Sequence, residues 1–126
     1  MRILVRCAAL IAAGLALVQN PSARADDYPS RPVTMIVPWA PGGAVDTVAR
    51  VVAPKLSERL GKPVIVENRA GAGSTLGTAI GAKAAPDGYT LGMPGSGSMA
   101  VGPAMYKSLP YHPTKDFAPM ALIGRV

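Results

Sequence analysis

Val33-Thr-Met-Ile-Val-Pro-Trp-Ala-Pro-Gly-Gly-Ala-Val-Asp46 is the stretch that decides the fold. Five residues rich in β-branched side chains end at Pro38, which is the pattern of a short buried strand. Ala40–Ala44 is a turn cluster of Pro and Gly. From Val45 the apolar period lengthens. Val45, Val48, Val52, Leu56 and Leu60 share one helical face with Ala49 and Ala53. Arg59 and Gly61 supply the stop. Pro54 falls inside this helix and lacks the N–H that the helical ladder needs, so the sequence predicts a kink or a break near 51–53.

Working outward, the same strand, Gly-rich loop and helix recur. Pro63–Val66 reads as a second strand leading into Glu67-Asn68-Arg69, a local polar turn network. The loop Ala70-Gly-Ala-Gly-Ser74 follows. Thr75–Ala84 reads as a helix with Leu76, Ala79, Ile80 and Ala84 inward and Ser74 as N-cap. After the turn Ala85–Gly88, Tyr89–Met93 is a third strand and Pro94–Ser98 a third small-residue loop. A short helix is expected from Gly102 or Pro103 to Leu109, and a fourth strand over Met120–Val126. Ahead of the first strand, 26–32 should be an extended polar lead-in. The order β-α-β-α-β-α-β predicts an α/β fold with an open parallel sheet and flanking helices.

Composition narrows the class. The chain has 126 residues, 49% hydrophobic and 16% charged, which fits one globular unit at most. Arg2 and Arg6, an apolar run Ala8–Val18 and the small-x-small site Ala23-Arg24-Ala25 have the layout of a secretory signal peptide. Cleavage is expected after Ala25. Removing 1–25 leaves ten basic against seven acidic residues, a formal charge of +3 rather than +6. The basic pI of about 9.9 therefore belongs to the precursor and argues little for nucleic acid. Cys7, the single cysteine, leaves with the signal, so no disulfide or thiolate ligand is expected.

The three loops carry the candidate chemistry. In an open parallel sheet, ligands bind at the carboxyl ends of the strands. Glycine lets backbone approach a ligand closely, and a helix N-terminus points free N–H groups at an anion. Hydroxyls of Ser74, Thr75, Ser96 and Ser98 add neutral donors. Asp46 lies in the first turn of its helix, where the dipole favours a carboxylate and where it could also orient the loop. Gly71-x-Gly73-x-x-x-Gly77 has one residue too many for the dinucleotide fingerprint, and no acidic residue ends the next strand. His112, the only histidine, reads as a solvated loop residue. Ser96 lacks the nucleophile-elbow pattern. No metal-ligand cluster or catalytic constellation stands out, so no enzyme, metal or cofactor is expected.

Five collinear segments then carry a resemblance: Tyr28-Pro-Ser-Arg-Pro-Val33, Ile36–Asp46, Val64–Gly73, Lys83–Leu91 and Leu109-Pro-Tyr-His-Pro-Thr-Lys-Asp-Phe117. Together they resemble the substrate-binding (Bug-type) receptors of tripartite tricarboxylate transporters. The resemblance implies a periplasmic, two-lobed solute-binding protein that captures small organic carboxylates and hands them to the transporter's membrane components, monomeric when complete. It implies ligand contacts at Trp39, Ala40, Pro41, Gly42, Gly43 and Asp46 in loop one, and at Gly71, Ala72, Gly73, Ser74 and Thr75 in loop two. Ser96 and Ser98 are the third-loop contacts. Loop two departs from the family's common Pro-Gly-Ala-Gly-Gly, with Ala70 and Ser74 in place of the Pro and the last Gly. In loop three, Met99 and Gly102 stand where His and Asn are common. Residues 26–126 are expected to form part of the first lobe, with the second lobe missing. Two alternatives stay open: an exported remnant without binding activity, and a nucleotide-binding α/β enzyme using the same loops.

Overall fold

The computed structural model describes residues 28–124. The proposed signal segment and the last two residues lie outside that range. Strand β1 (Val33–Val37) is central, and β2 (Val64–Asn68) and β3 (Thr90–Gly92) pair with it in parallel, in the order β2-β1-β3. Val33 stands opposite Val64 and Val37 opposite Asn68, while Thr34 and Ile36 stand opposite Thr90 and Gly92. Hydrogen bonds from Thr34 N to Tyr89 O (2.8 Å) and from Met93 N to Ile36 O (2.9 Å) continue the β3 ladder to the residues on either side.

β1 is apolar at every position but the half-buried Thr34, because both its faces are covered. Met35 and Val37 face helix α1 (Ala44–Leu60), packing with Ala49 beside Val45, Val52, Leu56, Val64 and Val66. Ile36, pointing the other way, lines a small void with Pro38, Gly77 and Thr78 under helix α2 (Thr75–Ala82). β2 is covered on the α1 face alone, so its outward Ile65 stays exposed.

Several expectations need correction. α1 runs unbroken through Pro54. Pro54 and Arg50 are both exposed, so the turn that the proline ring disturbs lies on the outer side of the helix. Val48 is exposed, and the apolar residues of α1 buried most deeply are the small Ala49 and Ala53. The helix does end at Gly61, in the left-handed conformation expected of a C-terminal stop.

The inward face of α2 also differs. Leu76 and Ile80 are exposed, whereas Thr75, Gly77, Thr78 and Ala79 are buried. Gly77 sits against the Arg69 carbonyl and Pro38, an approach that leaves no room for a side chain. The helix therefore docks on its small-residue side. Its buried hydroxyls are satisfied locally: Thr75 Oγ1 donates to Ala72 O (2.7 Å) and Thr78 Oγ1 to Ser74 O (2.8 Å). The helix stops at Ala82, short of Ala84.

Further along, a π-helical turn over Gly97–Val101 runs into helix α3 (Gly102–Met105). The third helix thus begins five residues earlier than the sequence predicts and ends before Leu109. Residues 118–124 form no strand and are exposed, since no described neighbour offers them a ladder. The lead-in is held by the turn before β3. Tyr28 Oη donates to Gly88 O (2.6 Å), Ser30 N donates to Tyr89 Oη (2.8 Å), and Arg31 pairs with Asp87 (3.0 Å) while lying 4.1 Å over the Tyr89 ring.

Candidate functional site

Loop one leaves β1 at Pro38 and turns over Ala40–Gly43. Gly43 N donates to Ala40 O (3.3 Å), with Pro41 second and Gly42 third at φ +82°, the residues a type II turn demands. Gly43 then opens α1 without any side-chain cap, so the first N–H groups of the helix lack intrahelical acceptors.

Asp46 shapes this loop from within. It is buried, and it accepts from Gly42 N (2.8 Å), Arg50 Nε (2.9 Å) and Asn68 Nδ2 (2.8 Å). The Arg50 hydrogen bond, then those from Gly42 and Asn68, lower its pKa to about 2. Asn68 also donates to Trp39 O (3.1 Å) and accepts from Arg50 Nη2 (3.1 Å). Its amide therefore ties the end of β2 to both ends of loop one. Sequence reasoning read Glu67-Asn68-Arg69 as a local network and missed this bridge. The signal available was the position of Asn68, at the carboxyl end of the strand beside loop one.

Loop two begins where Arg69 N donates to Val37 O (2.8 Å). Ala72, Gly73 and Ser74 are consecutive left-handed residues, with φ of +47°, +61° and +74°. Such backbone is unfavourable for Ala and Ser, and it persists only where the surroundings enforce it. Ser74 occupies the N-cap position of α2, as the sequence predicts, but makes no capping hydrogen bond. Its hydroxyl is buried and unpartnered among the described residues. The first N–H groups of α2 are taken by loop two itself: Thr75 N donates to Ala72 O and Leu76 N to Gly71 O (3.4 Å).

Loop three lies across the other two. The position a Cβ would take on Gly95 is 3.6 Å from Trp39 Nε1, and that on Gly97 is 3.7 Å from Ser74 Oγ. Trp39 Nε1 is the second buried, unpartnered polar side-chain atom of the described chain. Ser98 is fully buried and turned inward, its Oγ donating to Gly95 O (3.3 Å). Tyr111, whose role sequence reasoning also missed, donates its phenol to Ser98 O (2.7 Å) and packs edge-on against Phe117. Burial raises the Tyr111 pKa.

The three loops thus meet at the carboxyl edge of the sheet. Ala40, Pro41, Gly42, Gly71, Ala72, Gly73 and Ser96 are exposed there, with Gly43 half-buried. The side chains of Asp46, Thr75 and Ser98 are occupied by the loops themselves, as is the Gly42 N–H. His112 stands apart and exposed; its backbone N–H donates to Asp116 (2.7 Å) and its Nδ1 accepts from Thr114 N (3.3 Å). No group of three or more metal-ligating side chains occurs among the described residues, nor any helix long and apolar enough to cross a membrane.

A parallel sheet whose strand ends feed glycine loops belongs to the class of open α/β folds that bind ligands at the carboxyl edge of the sheet. Residues 48–126 match the family described as the tripartite tricarboxylate transporter family receptor. BugT of Bordetella pertussis is 50% identical over 103 residues, which cover 81% of this chain and 32% of BugT. MatC from Rhodopseudomonas palustris, solved with bound malate, is 45% identical with a TM-score of 0.73, covering 76% of this chain and 33% of MatC. An R. palustris protein solved with adipate is 35% identical at a TM-score of 0.65, covering 68% and 29% of the two chains. This chain belongs to the tripartite tricarboxylate transporter receptor family, whose members are periplasmic solute-binding proteins. It spans about a third of the length of the curated relatives it matches.

Proposed function

We propose that this chain contributes one wall of a periplasmic binding cleft for small organic carboxylates, which are passed to the membrane components of a tripartite tricarboxylate-type transporter. The observation that carries the reading is the uncapped N-terminus of α1 at the edge of the sheet where loop two also exposes Gly71–Gly73. It concentrates N–H donors and partial positive charge where a carboxylate would sit. The malate and adipate held by the two R. palustris relatives are ligands of that chemistry. In this reading Ala40–Gly43 and Gly71–Ser74 face the ligand through backbone, and Asp46 holds loop one in shape rather than touching an anion. Ser96 lies at the rim, and the ligand's far end belongs to a second lobe. Residues 1–25 act as the export signal, removed after Ala25.

Thermal unfolding of the purified chain against a panel of mono-, di- and tricarboxylates tests this. A ligand that binds only the folded form must raise the unfolding temperature, by about 2.7 kcal/mol of stabilisation at a hundredfold excess over Kd. A folded chain that no acid in the panel shifts would sink the proposal.

A further inference from the structure

Loop three runs into a turn with a carbonyl that the turn itself cannot serve. In the π-helical turn Gly97–Val101 a carbonyl takes its N–H from five residues on, and Gly97 O accepts from Gly102 N in that way. The next carbonyl, that of Ser98, would look to residue 103, which is proline and has no N–H. Ser98 is fully buried, so water does not supply the donor. Tyr111 does: its phenol donates to Ser98 O at 2.7 Å. Tyr111 is itself held. The turn behind it is closed by His112 N donating to Asp116 Oδ2 (2.7 Å) and by Asp116 N donating to His112 O (3.2 Å). That turn brings Phe117 back edge-on against the Tyr111 ring. Phe117 in turn lines the void under α2 with Ile36, Pro38 and Met93. The strap 109–117 thus ties loop three to the sheet, and Gly95-Ser96-Gly97 contributes no buried side chain of its own to do so.

We propose that Tyr111 is a positioning residue for carboxylate binding: by satisfying the Ser98 carbonyl, its hydroxyl holds loop three, with Ser96 at the rim, in the shape the cleft needs. This rests on the carboxylate-receptor reading and adds to it a residue outside the three loops, one that touches no ligand. Without the hydroxyl, Ser98 O is a buried acceptor with no donor, which is unfavourable enough for the turn to move toward water instead. Loop three lies against Trp39, since a Cβ on Gly95 would stand 3.6 Å from the indole nitrogen. A shift of the turn therefore changes what the indole touches.

Trp39 is the only tryptophan of the chain, so its emission reports loop three without any ligand. Tyr111→Phe keeps the ring and its packing and removes only the hydroxyl. In the folded, ligand-free chain it should shift the Trp39 emission and increase its quenching by acrylamide. Malate and adipate should bind it about fivefold to tenfold more weakly in calorimetry. Tyr28→Phe is the control: it too removes a phenol-to-carbonyl bond, that to Gly88 O (2.6 Å), but at the opposite end of the strands. Its emission and affinity should match the parent's. Adding Pro103→Ala to Tyr111→Phe returns an N–H to the residue that would serve Ser98 O, and should restore most of the lost affinity. Parent-like emission, with affinity within twofold of the parent, in Tyr111→Phe would overturn the proposal and leave the receptor reading intact. A loss of affinity that Tyr28→Phe reproduces would mark general destabilisation and overturn it too. So would a loss that Pro103→Ala does not relieve, because the phenol would then act other than through Ser98 O. A parent that binds no acid overturns the receptor reading, and the role in binding falls with it.

Discussion

Asp46 and Asn68 carry more of the site's shape than any other pair. Asp46 draws one donor from its own loop, one from its own helix and one from the neighbouring strand, and Asn68 reaches back to the carbonyl of Trp39. Replacing Asn68 by Ala removes the strand-to-loop bonds and should cost about 1–3 kcal/mol, read by urea unfolding. Carboxylate affinity should fall with it, because loop one loses its anchor. The depressed pKa of Asp46 fixes a pH signature. A carboxylate held at about 2, below its ordinary 3.8, contributes stability that is fully present above the ordinary value and is lost as pH falls through the lower one. Unfolding temperature should therefore drop between pH 4 and 2, and the Asp46→Asn variant should show a shallower drop over that window. Asp46 was legible in the sequence as a first-turn carboxylate. Asn68 was not, since its partners lie 18, 22 and 29 positions away and only strand pairing brings them within reach.

At the level of elements, period and punctuation revealed which segments are strands and helices, but not how each helix sits. The interior proline of α1 was read as a break because the sequence does not say which side of the helix meets water. With Pro54 outward, Pro54→Ala restores one backbone hydrogen bond without disturbing the core, and should stabilise the chain by about 1–3 kcal/mol in thermal unfolding. α2 was rotated wrongly by the same kind of reasoning. Hydrophobicity favours Leu76 and Ile80 as the inward residues, yet Gly77 allows the helix backbone to touch the end of β1 and the start of loop two. A methyl at Gly77 would run into the Arg69 carbonyl oxygen and lie 2.7 Å from Pro38 Cβ. Gly77→Ala should therefore destabilise by about 1–3 kcal/mol and push loop two away from loop one. Gly81→Ala on the same helix meets nothing within 4 Å and serves as the control.

For the whole molecule, the question is what the apolar surface meets. Ile65, Leu76, Met105, Met120, Leu122 and Ile123 are all exposed, and among the described residues the sheet has three short strands with two open edges. Surfaces of this kind drive association. The purified chain should bind a hydrophobic dye and grow in apparent mass with concentration in light scattering. Joining it to the part of BugT that it does not match tests the proposed second lobe, whose docking should suppress both effects. The sequence by itself determined the α/β class, the three strand ends that feed glycine loops, the resemblance to carboxylate receptors and the basic balance of the chain. These depend on local spacing, on turn chemistry and on motif order, all of which are written along one dimension. Only the tertiary structure decided that Asn68 braces loop one, that α2 docks on its glycine, and that Trp39 and Ser74 lie together beneath loop three. Each of those is a contact between segments remote in sequence, set by which faces pack and by how closely backbone can approach backbone.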